Sequence, residues 1–442
     1  MTAAWPYVII GTGVAGIAAA LEIRRIDPAA AITLLTAERE GYYSRPGLAY
    51  YLTGELNEQQ LYPFQKSDWQ KLGAQWLQAR AVQIDPASRQ VMLEDGQQLA
   101  YERLLIATGS RATPLDLPGA HLEGIFKLDN LVDARAIKRQ ARKARRAVVI
   151  GGGITALEIV EGLRARGLLT HYLLRGERYW GNVLDESESS IVEKRLKDEG
   201  VQIHYHTETS EIVGKRNRVE AVRTRDGRTI KCDLVAAAIG ISPRIELAQT
   251  AGLRTERGIL VDPYLGTSDP YIYAAGDVAQ VYDPVSGRAV LDSLWSPARQ
   301  QGQLAGLNMS GGYTAYRKPL AFNVTRIADL PTTIIGAVGS GSDQDLLGIA
   351  RGDSEVWRQS PQAIAVQADF EVNRLRIMLG ERAISGALLI GDQSLSRPLQ
   401  DLITQQVDIS AIRQRLLQPS APLSDLIIEF WNSFNGKHDR SH

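Results

Sequence analysis

Two glycine-rich loops carry the clearest chemistry in this chain. Gly11-Thr12-Gly13-Val14-Ala15-Gly16 follows an apolar run at residues 7–10 and precedes an Ala- and Leu-rich stretch at 17–25. In such a loop the first glycine permits a tight strand-to-helix turn. The second lets a pyrophosphate approach the backbone, and the third lets helix and strand pack closely. The helix N-terminus adds free N–H groups and a partial positive charge. A glycine pattern alone can be only a tight turn; the strand-loop-helix context assigns it to a dinucleotide. Gly11, Gly13 and Gly16 are therefore expected to bind dinucleotide phosphates. About 140 residues downstream the pattern returns as Gly151-Gly152-Gly153-Ile154-Thr155-Ala156, between an apolar run at 147–150 and a helix through Arg166. Gly151 and Gly153 are expected to serve a second dinucleotide, with Ala156 in place of the third glycine.

The residues after each second strand should read the ribose. After the first, Glu38 is expected on the ribose hydroxyls, with Glu40 as competitor. After the second stand Arg175 and Arg178, a pairing suited to a 2′-phosphate rather than a 2′-hydroxyl. This favours NADPH slightly over NADH, although the intervening Glu177 opposes that choice. Two further strands end in turn residues, Ala107-Thr108-Gly109 and Gly276-Asp277. Gly240, after the apolar run 234–239, is either a plain turn glycine or a point where a ligand comes close to the backbone.

These motifs need elements to hold them. Each loop reads as part of a βαβ unit, which makes two Rossmann-like domains. Residues 81–101 alternate in hydrophobicity and read as a β-meander; residues 201–231 look similar. A hairpin is expected at 363–377, a strand at 387–390, and amphipathic helices near 397–417 and 423–434. The last of these carries Leu, Ile, Phe and Trp at helical spacing, suited to a core or dimer contact. The predicted fold class is α/β, with an α+β C-terminal domain. At 442 residues the chain suits about three domains of roughly 150 residues.

Composition removes several classes of function. Fifty basic and fifty acidic residues give zero net charge, which argues against a nucleic-acid binder. Cys232 is the one cysteine, so no intramolecular disulfide, dithiol or cysteine-bound cluster can form. It is expected to be a packed core residue. No run of about 20 apolar residues predicts a membrane span. A strand starts within a few residues of the N-terminus, with no leader pattern, so a cytoplasmic location is expected. Residues 138–146 hold six basic side chains, read as a solvated helix and turn or as a docking patch for an acidic protein. His204 and His206 alternate on an expected strand and should form a surface pair.

In order, the two loops, Ala107-Thr108-Gly109 and Gly276-Asp277 resemble the two-dinucleotide-binding flavoproteins of the pyridine nucleotide-disulfide oxidoreductase superfamily. Tyr43-Ser44-Arg45-Pro46 is similar to a loop of rubredoxin and ferredoxin reductases and of the flavin portion of NADH-dependent nitrite reductase. Leu52-Thr53-Gly54-Glu55 and Gly386 to Asp392 are most like the last. The resemblance implies FAD at the first loop and NAD(P)H at the second, with hydride passing to the flavin. It implies a discontinuous FAD domain at 1–115 and 245–320, an NAD(P)H domain at 116–244 and a C-terminal interface domain at 321–442. Arg45, Val82, Thr108, Gly109, Asp277 and Trp295 would join the FAD site.

The chain also departs from the family. The redox-active cysteines of its disulfide reductases are absent. A lysine frequent past the Tyr-x-Arg-Pro loop is replaced by Tyr50, which would leave its partner Glu158 unpaired near the flavin. Without a thiol, electrons must leave from the flavin itself. The resemblance implies a redox protein such as rubredoxin or ferredoxin as acceptor. An NAD(P)H oxidase or quinone reductase, and a slow-turnover flavoprotein sensor, are the alternatives. A homodimer is left open.

Overall fold

The computed structural model describes residues 6–284, 286–338, 364–370, 373–419 and 421–438. The first apolar run forms strand β1 (Pro6–Ile10), followed by helix α1 (Val14–Ile26) and strand β2 (Ala31–Thr36). Five parallel strands make the first sheet, in the order Ile272–Ala274, Arg103–Ile106, β1, β2, Gln75–Gln78. Val8, Ile9, Leu34, Leu104, Leu105 and Ile106 are almost wholly buried, as expected where helices cover a parallel sheet. The second parallel sheet runs Gln202–His204, Leu169–Leu173, Arg146–Ile150, Leu234–Ala237, Ile125–Phe126. All its strands come from the stretch between the fourth and fifth strands, in chain order, of the first sheet. The chain crosses out at Ser110–Ala112 and back at Ile241–Pro243, and these two segments pair antiparallel.

A three-stranded antiparallel meander, Ala81–Asp85, Gln90–Leu93 and Gln98–Ala100, stands where alternation predicted one. The second expected meander is shorter than its sequence pattern. Gln202–His204 joins the parallel sheet, and only Thr209–Lys215, Arg218–Thr224 and Thr229–Lys231 form the meander. The C-terminal part is a five-stranded antiparallel sheet covered by helices. Its expected hairpin appears as Ile364–Phe370 paired with Asn373–Leu379; Ala363 lies outside the described residues. The helix expected near 397–417 is two helices, Ser396–Thr404 and Ser410–Leu416. Gln406 takes a left-handed conformation between them, and Asp408 accepts the Ser410 N–H at 2.9 Å. No helix among the described residues is long and apolar enough to cross a membrane.

Candidate functional site

At the first loop, Gly11 and Gly16 are fixed by contact and Gly13 is not. A Cβ on Gly11 would lie 2.1 Å from the Ala107 carbonyl oxygen, and one on Gly16 would lie 2.0 Å from that of Gly11. Gly11 also has φ +108°. A Cβ on Gly13 would meet nothing within 4 Å. Open space thus lies beside the glycine that caps α1. That helix start has no side-chain cap and no acid in its first turn. The second loop repeats the arrangement. A Cβ on Gly151 would sit 2.2 Å from the Ala238 carbonyl oxygen, Gly152 is open, and Gly153 caps the helix Ile154–Arg164, also without an acid or side-chain cap. By contrast, the helix Glu186–Asp198 carries its own acidic capping box. Two helix starts without their own anions fit two phosphate-bearing ligands. The fit to FAD and to a nicotinamide nucleotide rests on the open space beside these two starts, since the helix Trp295–Met309 also lacks a cap and a first-turn acid.

A polar chain runs from the first loop's acid to the Gly-Asp turn. Glu38, just past β2, accepts from Arg45 Nη2 at 2.6 Å and from the Tyr43 hydroxyl at 3.2 Å. Arg45 Nη1 donates to the Asp129 carbonyl at 2.7 Å. The buried Asp129 carboxylate accepts from Arg244 at 2.8 Å, and Arg244 Nε donates to the Ser110 carbonyl at 3.1 Å. Thr108 Oγ1 donates to the Arg244 carbonyl at 3.0 Å, and the Arg244 N–H to that of Gly109 at 2.9 Å. Ser110 Oγ then donates to Asp277 Oδ2 at 2.7 Å. Glu38, Arg45, Thr108, Gly109 and Asp277 are thus brought onto one network. Sequence reasoning missed Asp129 and Arg244; the Pro243-Arg244 step, just after Gly240, was the available signal. Glu40 instead pairs with Arg135 at 2.8 Å.

The remaining first-site residues are more dispersed. Val82 is exposed and lies at a register irregularity between Ala81 and Gln83, so its backbone drops out of the regular ladder. Trp295 is exposed at the start of the helix Trp295–Met309. That helix packs on α1 more closely than the sequence reading anticipated. A Cβ on Gly302 would lie 2.1 Å from the Ala15 carbonyl oxygen, and one on Gly306 would lie 2.5 Å from that of Ala19. The Gly-x-x-x-Gly spacing facing Ala15 and Ala19 was the legible sign of it.

Tyr50 lies on α2 (Gly47–Thr53), with the Arg326 guanidinium 5.0 Å from its ring centroid. Arg326 comes from the C-terminal sheet and also pairs with Glu55. The expectation that Glu158 stands unpaired is corrected: it is not without a partner in the structure. It lies one helical turn from Glu161. Burial, then the Glu158 charge, push the Glu161 carboxyl up to about 8, while Arg326 opposes them. No sequence signal linked Arg326 to this place, because more than 160 residues separate it from the helix Ile154–Arg164.

At the second site, Gly240 has φ +128° and its carbonyl accepts from Thr113 N–H at 2.9 Å. Ala112, Leu128, Thr155, Ala238 and Gly240 line a small hollow beside the loop. Arg175 is exposed just past the strand Leu169–Leu173. Arg178 folds back, pairing with Glu177 and donating to the Gly181 carbonyl at 3.2 Å. The two arginines therefore do not form one free pair.

Cys232 is fully buried among Val148, Leu173, Val222 and Val235, and burial, with Asp233, pushes its thiol up to about 12. It is a packing residue. The expected His204–His206 pair is replaced. His206 takes φ +47° beyond the strand end, and His204 Nε2 instead meets His171 Nδ1 at 3.0 Å on the neighbouring strand. No group of three metal-ligating side chains occurs among the described residues. In the basic stretch, Lys138 lies 3.5 Å from the Tyr51 ring centroid, while Arg142 and Lys143 are exposed.

Residues 5–302 match the profile of a family described as pyridine nucleotide-disulphide oxidoreductase. The chain is 30% identical to a rubredoxin-NAD(+) reductase of Pseudomonas putida, over 79% of this chain and 90% of that protein. It is 26% identical to the assimilatory nitrate reductase electron transfer subunit of Bacillus subtilis, over 94% of this chain. There it spans about half, 52%, of the relative's length. A ferredoxin reductase structure from Rhodopseudomonas palustris superposes with a TM-score of 0.83, covering 95% of this chain and 99% of that one. At 24% identity, that likeness speaks for the fold.

Proposed function

The chain belongs to the pyridine nucleotide-disulphide oxidoreductase family, and from that premise we propose that it oxidises NAD(P)H and delivers the electrons to a redox protein of rubredoxin or ferredoxin type. The observation that carries this reading is the pair of glycine loops, each opening a helix without an acid of its own. We assign FAD to residues 1–115 and 245–320, the nicotinamide nucleotide to 116–244, and an interface role to 321–442. Gly11, Gly13 and Gly16 would hold the FAD phosphates, with Glu38, Arg45, Val82, Thr108, Gly109, Asp277 and Trp295 around the rest. Gly151, Gly153 and Gly240 would hold the nicotinamide nucleotide.

FAD held at the first glycine loop would supply the hydride-accepting and electron-transfer chemistry. The chain's own residues bind and orient. Arg45 and Arg244 hold Glu38 and Asp129 in place. Ser110 fixes one oxygen of Asp277. Glu161 is buried within the field of Glu158 and Arg326, where it can hold a proton near neutral pH. Cys232 is buried, so thiol chemistry has no part.

Arg175, exposed past the second strand, supports a preference for NADPH; the occupied Arg178 does not add to it. Arg175→Ala is expected to weaken NADPH about tenfold more than NADH. Equal effects would remove the 2′-phosphate assignment. The decisive experiment is anaerobic stopped-flow reduction with each nucleotide, followed by mixing with rubredoxin, ferredoxin or oxygen. Fast bleaching, fast reoxidation by a carrier protein and slow reaction with oxygen are expected. Fast oxygen consumption without a carrier would make it an oxidase instead. A long-lived reduced complex would make it a slow-turnover sensor.

A further inference from the structure

Two arginines of the C-terminal sheet are buried in a place their own sheet does not explain. Arg374 and Arg376 stand two residues apart on the strand Asn373–Leu379, so they share a face. They are 3% and 2% exposed. A buried guanidinium is costly unless it is fully paired. Their carboxylate partners lie in the second dinucleotide domain. Arg376 donates Nε to Glu188 Oε1 at 2.8 Å and Nη2 to Glu188 Oε2 at 2.9 Å. Its Nη2 also donates to the Val183 carbonyl at 2.7 Å, and Nη1 to that of Val338 at 2.8 Å. Arg374 donates to Asp185 Oδ2 at 2.9 Å.

Those partners belong to the segment that follows the second loop's ribose-reading strand. Asp185 and Glu188 form the capping box of the helix Glu186–Asp198, with reciprocal bonds of 2.8 Å. Upstream, the Tyr179 N–H donates to Glu193 Oε1 at 2.7 Å, and Ser189 Oγ to the Tyr179 carbonyl at 2.8 Å. Trp180 is buried in a left-handed conformation, which a non-glycine residue keeps only when its surroundings hold it. Residues 175–185 are thus pinned from below by their own helix and from the side by Arg374 and Arg376. Arg175 projects into solvent at the near end.

We propose that Arg376, assisted by Arg374, is a positioning residue for nicotinamide-nucleotide binding: the C-terminal domain clamps the 175–185 segment so that Arg175 is presented to the adenosine 2′-phosphate. This rests on the reading of that segment as the ribose-recognition loop. The clamp makes NADPH affinity a property of two domains, while FAD binding depends on the first sheet.

The test uses the FAD-loaded full chain. Arg376→Met is expected to keep its FAD content and visible spectrum. It should need about tenfold more NADPH for half-maximal flavin reduction, with the limiting rate within about twofold. Binding of adenosine 2′,5′-bisphosphate, read by calorimetry without turnover, should weaken by the same factor. NADH should be affected less. A lone buried carboxylate can unfold the domain, so the neutral pair Glu188→Gln/Arg376→Met is measured alongside. Added to Arg175→Ala, either change should produce little further loss. Unchanged NADPH and bisphosphate affinity in a folded variant would overturn the clamp, as would equal weakening of NADH and NADPH. If Arg175→Ala itself fails to separate the two nucleotides, the ribose-loop reading fails instead. The two failures are therefore distinguishable.

Discussion

Asp277 shows how much one side chain can be asked to do. It follows Gly276, whose φ of +80° turns the chain sharply after the strand Ile272–Ala274. Ser110 occupies one of its carboxylate oxygens. Asp277→Ala is expected to lose FAD on purification, read as the ratio of flavin to protein absorbance; full flavination would remove the assigned role. Glu161 gives a pH signature. Its folded pKa of about 8 lies above the ordinary carboxylate value of 4.5. The folded state therefore holds that proton more tightly than the unfolded chain. The contribution is fully present below about pH 4.5 and is lost as pH rises toward 8. Glu161→Gln should raise the melting temperature relative to the parent at pH 8 and make little difference at pH 4.5. A pH-independent difference would remove the buried-carboxyl account.

At the scale of elements, the contact between α1 and Trp295–Met309 matters most. Ala15 and Ala19 face Gly302 and Gly306, and the two backbones approach within the room a single methyl would fill. The approach brings Gly276 against Ala15, where an added Cβ would be 3.1 Å from the alanine Cβ. The first loop and the Gly-Asp turn are thus held together by helix packing as well as by the polar chain. Gly302→Ala must push the helices apart. It should cost about 1–3 kcal/mol in denaturant unfolding and lower FAD occupancy. Unaltered stability and flavin content would show that the helices can slide without disturbing the site.

At the scale of the whole molecule, electrons have no thiol to visit. Cys232 is shielded from solvent and surrounded by apolar side chains. Cys232→Ala is expected to keep the parent's NAD(P)H turnover, and the parent itself is expected to resist thiol-alkylating reagents under native conditions. Loss of turnover with folding intact would reopen a thiol mechanism. The molecule is also joined by side chains that lie far apart in sequence. Arg326 from the C-terminal sheet reaches Glu55 and Tyr50, and Arg376 reaches Glu188.

The sequence by itself determined the two glycine loops, the strands before them and the helices after them. Each rests on local physics: apolar runs, a tight turn and a helix start within about ten residues. It also settled the absence of disulfide chemistry, since that follows from a count. The βαβ units and the first meander were legible for the same local reason, whereas Gln75–Gln78 and Gln202–His204 joined the parallel sheets without such a signal. Only the tertiary structure decided which side chains meet. Glu38 with Arg45 spans seven residues, but Asp129 with Arg244, Glu55 with Arg326 and Glu188 with Arg376 span from 115 to 271. His204 pairs across strands with His171 rather than along its own strand with His206, because the strand ends at His204. Periodicity fixes which face a residue occupies within its element. It carries no information about which distant element supplies the opposite charge, and that was settled by how the sheets and helices pack.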